Sequence, residues 1–290
     1  MDELKDKVVV ITGSTRGFGF VLAQELLKTG TWVVISGRNS ERLQSAIKLL
    51  EPTGPVDGYG KVTGWVCDVR DENQVYALAR AAMEKFGHID VWVNNAGYSA
   101  GAGVVLDIRP EHVIDMFMSN DMGTLYGTQA ALHFMLPRKQ GTLVNVYGAG
   151  SNGKAASPMG MYATTKMWIT SFTRTLATEI KGSGVNLLAF SPGMMLTDML
   201  ANPIVVGERG KEKMNRFGFV LRFLVKPPQE AARMLVHALA HNRKEFAEVH
   251  AMKPWTPMLG LLRVAWENLT KTGKTPEYTL HYEEAYQPKI

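Results

Sequence analysis

Cysteine is almost missing: Cys67 stands alone among 290 residues. A single thiol closes no internal disulfide, and it excludes zinc ribbons and other multi-cysteine metal sites. It points to a reducing compartment, and no metal site is expected. No continuous apolar run reaches about 18 residues, so no membrane-spanning helix is expected. Lys and Arg never form a long run, which argues against a nucleic-acid partner. Internal repeats and low-complexity linkers are also lacking, so a single domain over residues 1–290 is expected. Met1–Lys7 has no apolar signal core, and a strand pattern follows at once. That suits a cytoplasmic chain, or one already trimmed.

What is present suits a folded enzyme. Apolar residues make up 46% and charged residues 20%, which excludes a disordered chain. The net charge is +5. Val205 to Ile290 carries 14 Lys/Arg against 9 Asp/Glu. That surplus is either a solvated face or a basic partner surface. The 28 glycines cluster in short turns.

Strand and helix patterns alternate through the first two thirds. Val8–Thr12, Trp32–Ser36, Val62–Val69, Val91–Val93, Thr142–Val146 and Val185–Phe190 predict strands. Helices are predicted from Phe18 to the stop at Gly30, then over Ser40–Leu50, Asn73–Phe86, Glu111–Leu136, Tyr162–Ile180 and Gln229–His241. Glu51–Gly60 reads as a loop. This order implies a parallel sheet covered by helices on both faces. Asp198–Val225 and the tail from Met252 show no regular pattern.

The chemistry concentrates in four motifs. Thr12-Gly13-Ser14-Thr15-Arg16-Gly17-Phe18-Gly19 joins the first strand to the first helix. Its glycines let the backbone approach a pyrophosphate at a helix N-terminus. After the second strand comes Ser36-Gly37-Arg38, without a carboxylate for a free ribose. Arg38 and Arg16 suit a 2′-phosphate, which favours NADP(H) over NAD(H). Asp68 is either an adenine contact or a helix N-cap. Asn94-Asn95-Ala96-Gly97 follows the fourth strand. Tyr162 and Lys166 are four apart on one helix face. There a lysine ammonium is expected to lower the phenol's pKa and ready it for proton transfer.

These motifs, with Pro192-Gly193 and Thr197, resemble the short-chain dehydrogenase/reductase superfamily over about residues 5–200. The resemblance implies an α/β fold, a Rossmann-type doubly wound parallel sheet. It also implies a variable substrate lid at about 198–228 and a tail at about 252–290. Tyr162 would donate the proton, Lys166 would also hold the nicotinamide ribose, and Asn120 would hold a relay water. Gly13, Ser14, Arg16, Gly17, Phe18, Gly19, Arg38, Asp68, Val69, Asn95, Ala96, Gly97, Pro192, Gly193 and Thr197 would line the NADPH/NADP+ site. The family serine is displaced: Ala149 and Gly148 occupy its usual positions. Ser151 is expected to take its role, unless it only caps a turn.

A second resemblance is to the chlorophyll b reductase branch. It rests on Gly148–Gly153, Tyr162 to Lys166, Ser191–Met194 and Thr197-Asp198. It implies reduction of the 7-formyl group of chlorophyll(ide) b. Another lipophilic carbonyl (a 3-oxo lipid, steroid or quinone) and a non-catalytic NADP(H) sensor stay open. The lid carries Met199, Leu200, Met214, Phe217, Phe219, Leu221, Phe223 and Leu224. The tail adds Trp255, Met258, Leu259, Leu261, Leu262, Val264 and Trp266. They suit a lipophilic substrate or the periphery of a membrane, or else a subunit interface and core packing. The resemblance implies a homo-oligomer built on two long helices. Trp168, Phe172 and Leu176 form a stripe on one of them, which core packing would equally explain.

Overall fold

Four β-branched residues, Val8–Ile11, form the innermost strand β1, and all four are buried. In a computed structural model, which describes residues 2–54 and 61–288, six further strands flank it. These are β2 (Trp32–Gly37), β3 (Val62–Val66), β4 (Val91–Asn94), β5 (Gly141–Val146), β6 (Val185–Ser191) and β8 (Phe246–His250). All run parallel in the order β3-β2-β1-β4-β5-β6-β8. The chain winds outward one way from β1 to β3, then crosses back to β4. The crevice at the carboxyl ends of β1 and β4 is therefore the switch point where such sheets take ligands.

Helices cover both faces. On one, α1 (Gly17–Leu27), α2 (Ser40–Leu50) and α10 (Pro228–His241) bury Leu22, Leu26, Leu43 and Leu235 against the sheet. On the other, α3 (Glu72–Phe86), α5 (Gly123–Arg138) and α6 (Gly160–Glu179) pack around Trp92. Local chemistry fixes the boundaries. Asn39 Oδ1 accepts from Arg42 N at 2.7 Å to cap α2, and Asp71 Oδ1 accepts from Asn73 N at 2.9 Å to cap α3. Gly87, at φ +74°, ends α3 in a left-handed residue.

Several boundaries differ from the expectations. The third strand stops at Val66, because Asp68 and Arg70 fold into a turn. The helix expected over Glu111–Leu136 is interrupted. An α-helical segment α4 (Pro110–Phe117) leads into a π-helical turn, Met118–Met122, before α5 begins. The extra residue swings Asn120 and Asp121 inward. The loop expected at Glu51–Gly60 opens with a 3-10 turn at Glu51–Thr53; residues 55–60 lie outside the described ones.

The segments without a sequence pattern are ordered. The lid holds α7 (Asp198–Ala201), β7 (Ile204–Val206), α8 (Gly207–Met214) and α9 (Phe217–Leu224). The tail supplies α11 (Thr256–Thr270) and β9 (His281–Glu283). Lid and tail close on each other: β7 pairs in parallel with β9, and Val205 and Met214 form a small core with Leu280 beside it. α11 crosses α9 at Gly260, where any Cβ would collide with Phe223 O. In the stripe on α6, Leu176 joins the main core, while Trp168 and Phe172 stack at 5.0 Å and stay half-buried.

Candidate active site

Each phosphate-side feature begins with β1. After Ile11 the chain turns through Gly13 at φ +62°, and a Cβ there would stand 2.7 Å from Ala96 Cα. Only glycine meets both demands. Gly19 is equally confined, with Asn95 Nδ2 where its Cβ would be. Thr12 and Asn95 bind the two loops together. Thr12 Oγ1 accepts from Asn95 N at 3.0 Å and from Ala96 N at 3.1 Å. Asn95 Nδ2 donates to Thr12 O at 2.8 Å and to Gly13 O at 3.0 Å.

α1 starts at Gly17, and Phe20 N is the first amide to bond back, to Arg16 O at 3.3 Å. The N–H groups of Gly17, Phe18 and Gly19 are thus left for a ligand, at the positive end of the helix dipole. Thr197 faces them across the crevice, its Cβ 3.9 Å from where a Cβ on Gly17 would be. These groups fit a pyrophosphate.

Two expected contacts take a different form. Ser14 is fully buried, its Oγ donating to Ile11 O at 2.6 Å and accepting from Ser36 N at 3.0 Å. It braces the turn against β2 and has no hydroxyl to offer. The Phe18 ring stacks on Phe190 in the core, 5.7 Å between centroids, so only its N–H can serve.

At the nucleotide's far end, Arg38 is exposed and makes no hydrogen bond or ion pair among the described residues. Arg16 lies 3.6 Å from Asp198, both well exposed. Asp68 is held by a residue the sequence reading passed over. Arg70 Nη2 reaches Asp68 Oδ2 at 2.7 Å, and Arg70 Nε reaches both carboxylate oxygens at 3.1 Å. Burial works against the Asp68 charge, but Arg70 outweighs it and keeps the carboxyl below its usual range. The N-cap role belongs to Asp71. A hollow of about 390 Å³ opens here, lined by Asp68, Arg70, Gln74 and Asp115. Val69 is buried against Gly123.

The reactive group lies at the ends of β4 and β5. Asn94, at the end of β4, accepts from Trp92 Nε1 at 2.8 Å and donates to Asn145 Oδ1 at 2.9 Å and Thr128 Oγ1 at 3.1 Å. Beyond β5, Gly148 leaves room for Tyr162: a Cβ there would stand 2.7 Å from the phenol oxygen and 3.2 Å from Lys166 Cδ. At Gly97 the corresponding point lies 3.6 Å from Lys166 Nζ and 3.5 Å from Asn120 Oδ1. Tyr162, Lys166 and Asn120 thus converge beside the loop that holds the glycine-rich turn. Asn120 Oδ1 accepts from Tyr98 N at 2.7 Å, and its Nδ2 donates to Tyr98 O and Thr165 Oγ1, both at 2.9 Å. Its side chain joins the β4 loop to α6.

The electrostatics correct one expectation. Lys166 does not bring the phenol below its ordinary value. Burial pushes Tyr162 up to about 12, and Lys166 Nζ sits 5.6 Å from the ring centroid, over the ring. Burial also takes Lys166 down to about 8, opposed by the charge of Asp121. Asp121 itself is pushed up to about 7 by burial, opposed by Lys166. The sequence reading did not single out Asp121. A carboxylate directly after Asn120 was its only signal.

Ser151 does not present a free hydroxyl. Its Oγ donates to Gly148 O at 2.6 Å and accepts from Gly148 N at 2.9 Å. Both capacities go to the turn, as its closure requires. Pro192 and Gly193 follow β6, and Gly193 lies against Met252 of the tail.

The family model for short chain dehydrogenases matches residues 7–204. The chain belongs to that family. A chlorophyll(ide) b reductase from Oryza sativa subsp. japonica is 32% identical over 251 residues, covering 85% of this chain and 69% of the rice protein. An uncharacterized oxidoreductase from Staphylococcus epidermidis is 31% identical over 228 residues, covering 78% of this chain and 94% of its own length. Among solved structures, a variant of actinorhodin polyketide ketoreductase with NADPH is 25% identical with a TM-score of 0.73, covering 87% of this chain and 97% of that one. A Burkholderia phymatum short chain dehydrogenase/reductase in complex with NAD shares the fold, with a TM-score of 0.74 at 23% identity over 96% and 99% of the two chains. The protein is therefore an NAD(P)-dependent oxidoreductase with a single Rossmann-type domain, acting with its nucleotide on a small-molecule substrate.

Proposed function

We propose that this oxidoreductase is an NADPH-dependent carbonyl reductase whose substrate is the 7-formyl group of chlorophyll(ide) b. The observation that carries the reading is the convergence of Tyr162, Lys166 and Asn120 beside the glycine-rich turn. The bound cofactor supplies the hydride. Gly17, Phe18 and Gly19 hold the pyrophosphate through their N–H groups, and Arg38 pairs with the 2′-phosphate. Ala96, Gly97, Pro192, Gly193 and Thr197 flank the nicotinamide half.

Tyr162 keeps its proton at neutral pH, and burial carries its pKa further above that range. It is therefore an acid, ready to protonate the carbonyl oxygen as hydride arrives at the carbon. Lys166 stabilises the phenolate left behind. Asn120 braces the β4 loop against α6; both its amide hydrogens are donated to Tyr98 O and Thr165 Oγ1, so a relay water could meet it only as a donor to its oxygens.

The substrate proposal draws support from the rice relative's name and from the apolar lid and tail. Met199 and Phe219 are exposed on the lid, and Met258, Leu262 and Trp266 on α11, with Trp255 exposed just before it. No helix among the described residues is long and apolar enough to cross a membrane. The proposal also includes a cytoplasmic protein that touches a membrane at its periphery through the exposed face of α11. It also includes a homo-oligomer, supported by the exposed Ile114, Phe117 and Met167 on α4 and α6. A second reading, a ketone of the 3-oxo acyl kind, is favoured by the likeness to the polyketide ketoreductase.

The test is turnover of NADPH by the purified protein with chlorophyllide b, set beside a panel of 3-oxo thioesters, steroids and quinones. Formation of the 7-hydroxymethyl pigment supports the proposal. Turnover of the panel alone replaces the substrate, and NADPH binding without turnover of any carbonyl points to the sensor.

A further inference from the structure

Two oppositely charged side chains, Asp121 and Lys166, are buried near Tyr162, and the carboxylate has one oxygen without a hydrogen-bond partner. Asp121 is 1% exposed, and its Oδ1 has none. Lys166 is 4% exposed, and its Nζ forms no ion pair among the described residues. An isolated buried charge is costly, so each is expected to have a compensating neighbour. Each feels the other: Asp121 is the charged group that acts on Lys166, and Lys166 the one that acts on Asp121. They reach this position from separate elements, the π-helical turn Met118–Met122 and α6. A single extra residue in the turn aims Asn120 and Asp121 at α6 together, and π turns of this kind recur at functional sites.

We propose that Asp121 is a positioning residue for proton transfer, its buried carboxylate keeping the Lys166 ammonium charged beside Tyr162. This rests on the reading of Tyr162 and Lys166 as the proton-transferring pair. In this role Asp121 acts only through Lys166. The titratable groups that face Lys166 are Asp121 from the π turn and Tyr162 from its own helix; Asn120 and Thr165 beside them carry no charge. Without the carboxylate, burial alone governs Lys166, and the ammonium loses its proton at lower pH. The neutral amine then no longer stabilises a Tyr162 phenolate, so the alkaline limb of kcat moves to lower pH.

The test compares wild type with Asp121→Asn, which keeps the shape, and Asp121→Leu, which removes all polarity. Lysine Cε labelled with carbon-13 is titrated by NMR, and the Lys166 signal is identified by its loss in Lys166→Gln. In both Asp121 variants the Lys166 titration and the alkaline limb of kcat are expected to move down together by roughly one pH unit, with the melting temperature held or raised. An unchanged Lys166 titration in a folded variant overturns the inference and leaves the reductase reading standing. If the wild type turns over no carbonyl, the reductase reading fails, and the titration, which needs no turnover, still decides whether Asp121 controls Lys166.

Discussion

Replacing Arg38 with alanine should separate the two nicotinamide cofactors. Arg38 follows β2, is exposed, and has no ion pair or hydrogen bond among the described residues. Its charge reaches Asp68 and Tyr98, but Asp68 is already held by Arg70. Truncation therefore leaves no carboxylate stranded, and the fold should not notice. A guanidinium on a 2′-phosphate makes charge-assisted hydrogen bonds worth about 1.5–3 kcal/mol. That is roughly a 10- to 150-fold loss in kcat/KM. The site is open to water and Arg16 remains nearby, so the lower part of that range, about 10- to 50-fold, is expected for NADPH. For NADH, which lacks the phosphate, kcat/KM should change by less than about twofold. The assay is kcat/KM for both cofactors with one carbonyl substrate, alongside a melting curve. Equal losses with both cofactors, or none with either, would refute the assignment of Arg38 to the phosphate.

Three other outcomes follow from the geometry. Ser151→Ala should lower kcat by less than about threefold, since the hydroxyl closes a turn, whereas removing a donor aimed at the reacting oxygen costs roughly 100-fold or more; steady-state kinetics decides between them. Gly13→Ala should abolish NADPH binding by calorimetry while the chain still folds, because its Cβ would meet Ala96 Cα at 2.7 Å in a left-handed backbone. Asn94→Ala strands Trp92 Nε1 and Asn145 Oδ1 in the core. The expected loss is about 3–5 kcal/mol, read as a fall in melting temperature of roughly 10 °C; a fall under about 2 °C would contradict the weight given to the Asn94 hydrogen bonds.

The sheet was legible because its strands advertise themselves. Val8–Ile11 and Val185–Ser191 are buried on both faces and read as continuous apolar runs. β8 escaped notice because Glu248 and His250 break that run, as charges do on an edge strand. α11 was missed for a related reason. It buries only Gly260 and Val264 and exposes Met258, Leu262 and Trp266, so its apolar residues do not mark one inward face. The break in the helix expected over Glu111–Leu136 has no periodic signature either, since Asn120 and Asp121 look like surface residues until the π turn carries them inside.

For the site, sequence spacing put Tyr162 and Lys166 on one face and the glycine turn at a helix start, and both hold. It could not foresee that the Ser151 hydroxyl closes on Gly148. Nor could it foresee that Arg70 grips Asp68, two residues away along a turn. The phenol's direction of shift was also out of reach. It depends on how deeply the ring is buried and on Lys166 lying over the ring face, and spacing gives neither.

The central claim is that Tyr162 protonates a carbonyl while NADPH delivers hydride, and one comparison tests it most directly. NADPH oxidation and product formation with chlorophyllide b are followed for wild type and Tyr162→Phe, with NADPH affinity measured for both. The account predicts 7-hydroxymethyl product from the wild type, with turnover falling at least about 100-fold in the variant and cofactor affinity unchanged. A variant that turns over at the wild-type rate would contradict it.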